Sequence, residues 1–122
     1  PDLISKEPLG PAVRQGDAAW GNVVRWALFA WIGAEELGVD QANADAMRNA
    51  PNPEIRRMLG TEGEFGKGAG LARDWAYKII KAVGNYGESF ERNLGQGSRL
   101  KIERGSNRLW TKGGLHYAPP IR

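Results

Sequence analysis

Residues 17–38 read DAAWGNVVRWALFAWIGAEELG, a stretch with the periodicity of one long helix. Asp17 is a favourable N-cap, and Gly38 is a favourable left-handed stop. At 100° per residue, apolar side chains form one stripe and a second apolar set lies on the adjoining flank, which leaves a narrow polar face. The stripe comprises Trp20, Val23, Val24, Ala27, Trp31 and Ala34. A helix this apolar needs packing partners on more than one side.

A membrane location is the first alternative for this helix. The 17 residues from Ala18 to Ala34 carry one charge and approach a spanning length. Arg25, near the middle, costs about 2.5–3.5 kcal/mol on insertion scales, and two glutamates follow directly. An interfacial helix is disfavoured as well, because the polar face has only one base. The sequence therefore favours a buried core helix.

Composition and charge bound the class of protein. The chain has 122 residues, 41% apolar and 25% charged, which is typical of one folded domain or part of one. No Cys is present, which excludes disulfides, thiolate metal sites and cysteine catalysis. Residues 1–60 hold 6 bases and 8 acids, whereas residues 61–122 hold 11 bases and 6 acids. A small basic helical module that binds nucleic acid or an anionic membrane surface is thus an alternative function, but its bases are spaced singly and we expect no nucleic acid.

Helix-capping residues, prolines and glycines predict the remaining elements. Pro8 and Pro11 make residues 3–14 extended, as a crossing or edge segment. Short helices are predicted from Asp40 to about residue 49 and from Pro53 to Gly60, followed by a loop at 61–70. One apolar stripe then predicts a helix over 71–94, interrupted by glycines at 84 and 87 that require close packing or a kink. The tail is predicted to form a helical turn at 106–110 and an extended end.

The sequence holds no set of residues with the spacing of a catalytic or metal site. His116 is the single histidine, so a zinc site would need carboxylates. Glu35 and Glu36 are adjacent and diverge by 100° on a helix, so they do not form an acid–base pair. Residues 66–70 (GKGAG) precede a helix without the strand or the Lys-Ser/Thr pair of a phosphate loop. We predict no catalytic residue, no metal, no cofactor and no enzymatic activity.

Segments spread along the whole chain carry a specific likeness. They are Ser5–Asp17, Trp20, Val23–Trp26, Glu35–Gly38, Asn52–Ile55, Leu59–Thr61, Asp74–Ile80, Val83–Glu88, Phe90–Asn93, Leu109–Leu115 and Tyr117–Pro120. Together they resemble the C-terminal third of family 3 amino-acid-binding proteins of bacterial ABC importers, and of the general L-amino-acid-binding type in particular.

This resemblance implies an α/β fold of the periplasmic-binding-protein type II family, of which this piece is mostly α-helical with an N-terminal extended hinge strand. Residues 1–16 would be the hinge or crossing strand, with Ser5, Lys6, Glu7 and Pro8 as hinge residues. Residues 17–122 would be the C-terminal part of lobe 1, a single incomplete domain. The family's main ligand contacts lie upstream, so no ligand-binding residue is assigned here.

The resemblance also implies partners and location. The complete protein would capture an L-amino acid in the periplasm by lobe closure and deliver it to membrane permease subunits. Helices that evolved beneath other polypeptide would expose apolar surface in this chain. We therefore expect the chain to associate with the upstream part of the same binding protein or with another copy of itself, as a swapped dimer.

Overall fold

The computed structural model describes residue 5 and residues 9–121. Five α-helices occur in this part of the chain: α1 (Ala18–Glu36), α2 (Ala44–Met47), α3 (Pro53–Met58), α4 (Trp75–Val83) and α5 (Tyr86–Asn93). Single 3-10 turns lie at Lys67–Ala69, Gly105–Asn107 and Trp110–Lys112. The described residues contain one isolated parallel bridge, between Leu109 and His116, and no longer strand pairing.

Helix α1 has the predicted ends. The backbone N–H of Trp20 donates to the Asp17 side chain at 2.9 Å, and Gly38 follows the helix with φ +67°. α1 lies against both α4 and α5, and α2 packs on α4. No helix within residues 9–121 combines the length and apolarity that crossing a membrane requires.

Two apolar clusters lie on different sides of α1. The larger joins Ala30 and Ala34 to residues from α3 and α4, with Leu59 and Ile80 fully buried. The smaller joins Ile32 to Leu109 and Ala118 of the C-terminal segment. The prediction that α1 needs partners on more than one side is thus confirmed for its C-terminal half.

Two predicted helices have different bounds in the structure. Asp40 makes the predicted cap bonds: its carboxylate accepts from the backbone N–H of Asn43 at 2.7 Å, and its own backbone N–H donates to the Asn43 side chain. The regular helix is shorter than predicted, however, since α2 runs only from Ala44 to Met47. The single helix predicted over 71–94 is two helices, because Gly84 has φ 77° and ψ −170°, a combination incompatible with a helix.

The structure describes only part of the predicted N-terminal hinge strand. Of the predicted hinge residues, Ser5 is described, exposed and outside regular structure, while Lys6, Glu7 and Pro8 lie outside the described residues. Residues 9–14 are in no helix, as the two prolines predicted. The turn predicted at 106–110 occurs as two separate 3-10 turns.

Candidate docking surface and its supporting junction

The described residues cover the apolar side chains in the N-terminal half of α1 only in part: Trp20 is exposed, and Val23, Val24 and Ala27 are half-buried and belong to neither apolar cluster. In the C-terminal half of the same stripe, Ala34 is buried in the larger cluster, and the half-buried Trp31 packs on Tyr86. Trp20 is 54% exposed. An exposed Trp beside half-buried apolar side chains marks a candidate association surface.

The segment before α1 extends this surface. Leu9 is 91% exposed, and Val13 reaches back to within 3.5 Å of the Cβ position at Gly21. No backbone N–H of residues 9–13 donates a hydrogen bond to another described residue. We name the set Leu9, Val13, Trp20, Val23, Val24 and Ala27 the docking surface. It offers apolar side chains together with backbone donors that have no partner among the described residues.

A groove borders the docking surface on one side of α1. Its volume is about 470 Å³, and it lies between the first turns of the helix and the loop that precedes α4. Its wall includes Trp26, Phe65, Leu71 and Trp75. Phe65 is 40% exposed, so apolar area continues from the helix onto this loop.

The junction between α4 and α5, residues 84–85, anchors the other end of α1. The indole Nε1–H of Trp31 donates to the Gly84 carbonyl at 2.8 Å, and the Asn85 side chain donates to the Val39 carbonyl at 2.9 Å. Asn85 and Glu88 form a capping box that begins α5. These bonds satisfy the backbone groups that the helix break leaves open.

A buried ion pair ties α1 to the C-terminal segment. Arg104 Nη1 lies 2.6 Å from Glu35 Oε1, and Nη2 lies 3.0 Å from Oε2. The two side chains are 14% and 11% exposed. The pair explains Gly87, because a Cβ there would lie 2.9 Å from the Glu35 carboxyl carbon.

Aromatic rings enclose this ion pair. The Arg104 guanidinium lies 5.4 Å from the ring centroids of both Tyr86 and Phe90. The His116 ring packs edge-on to Tyr86 with centroids 4.3 Å apart, and its buried Nδ1 has no hydrogen-bond partner among the described residues. Burial, with a further contribution from the Arg104 charge, lowers the pKa of His116, and burial raises the pKa of Tyr86.

A second polar cluster joins α2 to α4 at the surface. The Asp45 carboxylate accepts from Lys81 Nζ at 2.7 Å and from the Tyr77 hydroxyl at 2.6 Å. The hydrogen bond from Lys81 holds the pKa of Asp45 below its usual value, and the bond to Asp45 raises the pKa of Tyr77 and of Lys81. The cluster is exposed and its groups satisfy one another, so it serves as a tie between helices.

The candidate chemical residues are all engaged in structural contacts. Glu35 and Glu36 diverge as predicted: Glu35 binds Arg104, and Glu36 accepts from Trp110 Nε1 at 3.1 Å. Gly66 packs beneath Trp75, whose Cδ1 would lie 2.6 Å from a Cβ at that position. Among residues 5 and 9–121, no cluster of His, Asp and Glu side chains has the arrangement of a metal site.

Sequence reasoning missed the role of Arg104. By sequence it is one of the 11 singly spaced bases of residues 61–122, whereas in the structure it pairs with an acid 69 residues earlier. Gly87 indicated that another part of the chain packs closely against α5. A glycine does not identify which side chain that is.

Known proteins match the chain over its entire length. It is 61% identical to the general L-amino acid-binding periplasmic protein AapJ of Rhizobium johnstonii and 54% identical to the putative amino-acid ABC transporter-binding protein YhdW of Escherichia coli. Each match covers 100% of this chain and 36% of the relative, so the chain spans about a third of their length. No protein-family model matches the chain.

A solved structure matches equally well. The periplasmic binding protein of an ABC transporter from Brucella ovis, with glutathione bound, superimposes with a TM-score of 0.95 at 56% sequence identity. The match covers all of this chain and 39% of that one. The described residues have one isolated bridge and no longer strand, which agrees with a helix-rich part of that larger α/β fold. The chain corresponds in sequence and fold to the C-terminal part, about 36%, of periplasmic amino-acid-binding proteins of ABC transporters.

Proposed function

We propose that this chain belongs to the substrate-binding component of an amino-acid ABC transporter and acts in the periplasm without catalysis. In the complete protein, two lobes close around an L-amino acid, and the closed form delivers it to membrane permease subunits. The chain supplies the C-terminal part of the first lobe. The observation that carries this proposal is the match, over the chain's whole length, to relatives named for amino-acid binding.

The docking surface supports the same proposal. A chain that provides a third of a larger protein must present a face to the other two thirds. The partly covered apolar stripe on α1, and the backbone donors of residues 9–13 that pair with no other described residue, are suited to be such a face.

Residues 1–16 are assigned to the crossing strand, with Ser5, Lys6, Glu7 and Pro8 at the hinge. Hinges are short segments at element ends that absorb the dihedral change of lobe closure. Residues 9–14 agree with such a connection, because they lie outside the helices and the backbone N–H groups of residues 9–13 pair with no other described residue.

A chimera tests the function directly. This chain would replace the corresponding C-terminal 36% of AapJ, with native AapJ as the matched control. Calorimetric titration with a panel of L-amino acids is expected to give binding, and small-angle scattering is expected to show compaction on ligand addition. A chimera that folds with the secondary structure of AapJ and binds no L-amino acid would contradict the proposal.

The same experiment distinguishes the proposed transport function from the alternative that the chain is a small basic helical module. Retention of the isolated chain on heparin, lost as salt rises, together with a chimera that does not bind, would favour binding of an anionic polymer or surface. Elution of the chain at low salt together with a binding-competent chimera supports transport.

A further inference from the structure

We propose that a pocket beside the C-terminal half of α1 binds a small organic cation, namely an ammonium or guanidinium group on a short apolar stem. The pocket has a volume of about 310 Å³ and lies between α1, α3 and the C-terminal segment. The residues that line it lie between positions 29 and 121 of this chain, so the proposal does not depend on the proposed function. We name it the cation pocket.

The charge of its wall selects a cation. Two charged residues line the cation pocket, and both are acids, the exposed Glu36 and the half-buried Glu54. Neither carboxylate forms an ion pair with a described lysine, arginine or histidine. This local charge is opposite to that of the whole chain, whose formal net charge is +3. A cation in the pocket would therefore meet two carboxylates that no described base neutralises, whereas an anion would be repelled.

Two exposed aromatic rings favour the same kind of ligand. Trp110 and Tyr117 line the cation pocket and are 52% and 65% exposed. Their ring centroids lie 6.1 Å apart, with an interplanar angle of 74°. Trp110 Nε1–H donates to Glu36 Oε1 at 3.1 Å, which holds one ring next to one carboxylate. The face of an aromatic ring attracts a cation, so the rings and the carboxylates act together.

Apolar side chains complete the wall and give the ligand a stem. Ala30, Met58, Ala118 and Ile121 line the cation pocket, and each is at most 8% exposed. Methylene groups placed against these side chains lose contact with water, which favours binding. A hard metal ion would gain nothing from them and needs about six oxygen ligands, more than two carboxylates supply. The wall therefore fits an organic cation better than a metal ion.

The size and the place of the cation pocket favour a small molecule over a protein partner. Pockets for small molecules begin at about 300 Å³, whereas a stable protein interface buries about 1,200 Å² or more. The pocket adjoins residues 29–37 of α1, whereas the docking surface uses residues 9–27. Polypeptide that covers the docking surface therefore does not have to fill the cation pocket.

Indole N–H signals in an NMR spectrum test the proposal on the full chain. Each of the five tryptophans gives one such signal, and Trp110→Phe assigns the signal of Trp110. Titration with n-butylammonium is expected to shift this signal saturably, with a Kd of about 1 mM, and to leave the signal of Trp20 in place. 1-Butanol has nearly the same shape without the charge, so it should bind about tenfold more weakly.

Substitutions of equal size test the charge of the pocket. Glu36→Gln and Glu54→Gln each remove one negative charge, and each should raise the Kd about fivefold. Glu64→Gln is the matched control, because this exposed acid lies outside the wall of the cation pocket, and it should leave the Kd unchanged. Tyr117→Leu keeps an apolar side chain but removes a ring, and it should raise the Kd about threefold. Signals from the rest of the chain should stay in place in every variant.

Two further titrations examine which other parts of a protein compete for the cation pocket. Arg122 follows Ile121 in the sequence and lies outside the described residues, so its side chain is tested with Arg122→Gln. This variant is expected to bind n-butylammonium with the Kd of the native chain. The joined chimera with AapJ is expected to show the same Kd, with Trp110→Phe again used to assign the signal.

Three results would overturn the proposal. The first is the lack of a saturable shift at Trp110, or an equal response to n-butylammonium and 1-butanol. The second is binding that occurs only in Arg122→Gln, because the chain's own last residue would then be the occupant. The third is binding to the isolated chain that the chimera lacks, because upstream polypeptide would then cover the pocket. Binding of L-amino acids by the chimera tests the proposed function separately.

Discussion

Arg104 and Glu35 form the most buried ion pair among the described residues, and its geometry is bidentate. The carboxylate and the guanidinium lose most of their hydration, so each depends on the other. Removal of one partner leaves an uncompensated charge next to the rings of Tyr86 and Phe90. The pair therefore affects stability far more than an exposed pair does.

We expect Arg104→Ala to lower the free energy of unfolding by about 3 kcal/mol, measured by urea denaturation. Lys78→Ala, which removes the exposed i,i+4 partner of Asp74, is the control and should leave the denaturation midpoint unchanged. The double variant Glu35→Gln/Arg104→Met should be less destabilised than the sum of the single variants. A loss below about 1 kcal/mol for Arg104→Ala would contradict the assigned role.

We expect His116 to make the stability of the fold depend on pH. Burial lowers its pKa, and the groups that face it are the Tyr86 ring, the Arg104 cation and the Glu35 carboxylate. The unfolded chain then binds a proton at higher pH than the folded chain does. As pH falls below about 6.5, stability decreases by up to about 1.4 kcal/mol per pH unit, until the folded pKa is passed.

The comparison with His116→Gln isolates this contribution. The free energy of urea unfolding, measured at pH values from 8 to 5, should fall more steeply for the native chain than for the variant. Both proteins share the carboxylate titrations, so the difference between the two curves reports His116. Above pH 7.5 the histidine is neutral in both states, and its part of the slope should vanish. Parallel curves for the two proteins over the whole range would show that His116 does not titrate differently on folding.

At the scale of elements, the break between α4 and α5 depends on Gly84. Its φ of 77° and ψ of −170° lie in a region that only glycine adopts readily. A Cβ there would also lie 2.6 Å from the Glu88 carboxylate, which holds the Asn85 N–H in the capping box. We expect Gly84→Ala to destabilise the fold by about 2–3 kcal/mol.

Substitution of Gly33 in α1 should have the opposite effect on stability. It is helical, and a Cβ there would meet no atom within 4 Å. Gly33→Ala should therefore stabilise the protein by about 0.5–1 kcal/mol, because alanine loses less backbone entropy in a helix. Thermal melts of the two variants should shift in opposite directions. Shifts of the same sign would contradict the assigned backbone conformations.

The elements show how far the sequence predicts this fold. Local signals located α1 and α3 well. Asp17 and Asn52 cap the two helices, and Gly38 and Gly60 follow them with positive φ, as predicted. The glycines at 84 and 87 indicated close packing or a kink but not two separate helices, because the apolar stripe continues across them with helical periodicity. The capping-box pattern Asn85-x-x-Glu88 was present in the sequence and would have located the break.

At the scale of the whole molecule, the surplus of apolar surface on α1 was predictable, but its distribution was not. Periodicity identifies the stripe, yet it does not tell that Trp31 and Ala34 are packed while Trp20 stays exposed. That difference depends on α4, α5 and the C-terminal segment. These elements pack on α1 but lie about 40 to 80 residues further along the chain. The Glu35–Arg104 pair escaped prediction for the same reason.

The exposed docking surface leads to a last prediction for the isolated chain. Without the upstream part, we expect reversible self-association, seen in sedimentation velocity as a weight-average mass that rises with concentration. Sulfate, which strengthens apolar association, should shift the onset to lower protein concentration. Association through the basic tail would instead weaken as salt rises, because charge interactions are screened. Trp20→Ala should move the onset to higher concentration, and Trp110→Ala, with nearly equal exposure, should not. A mass that stays monomeric at all concentrations in sulfate would mean that the docking surface does not drive association by itself.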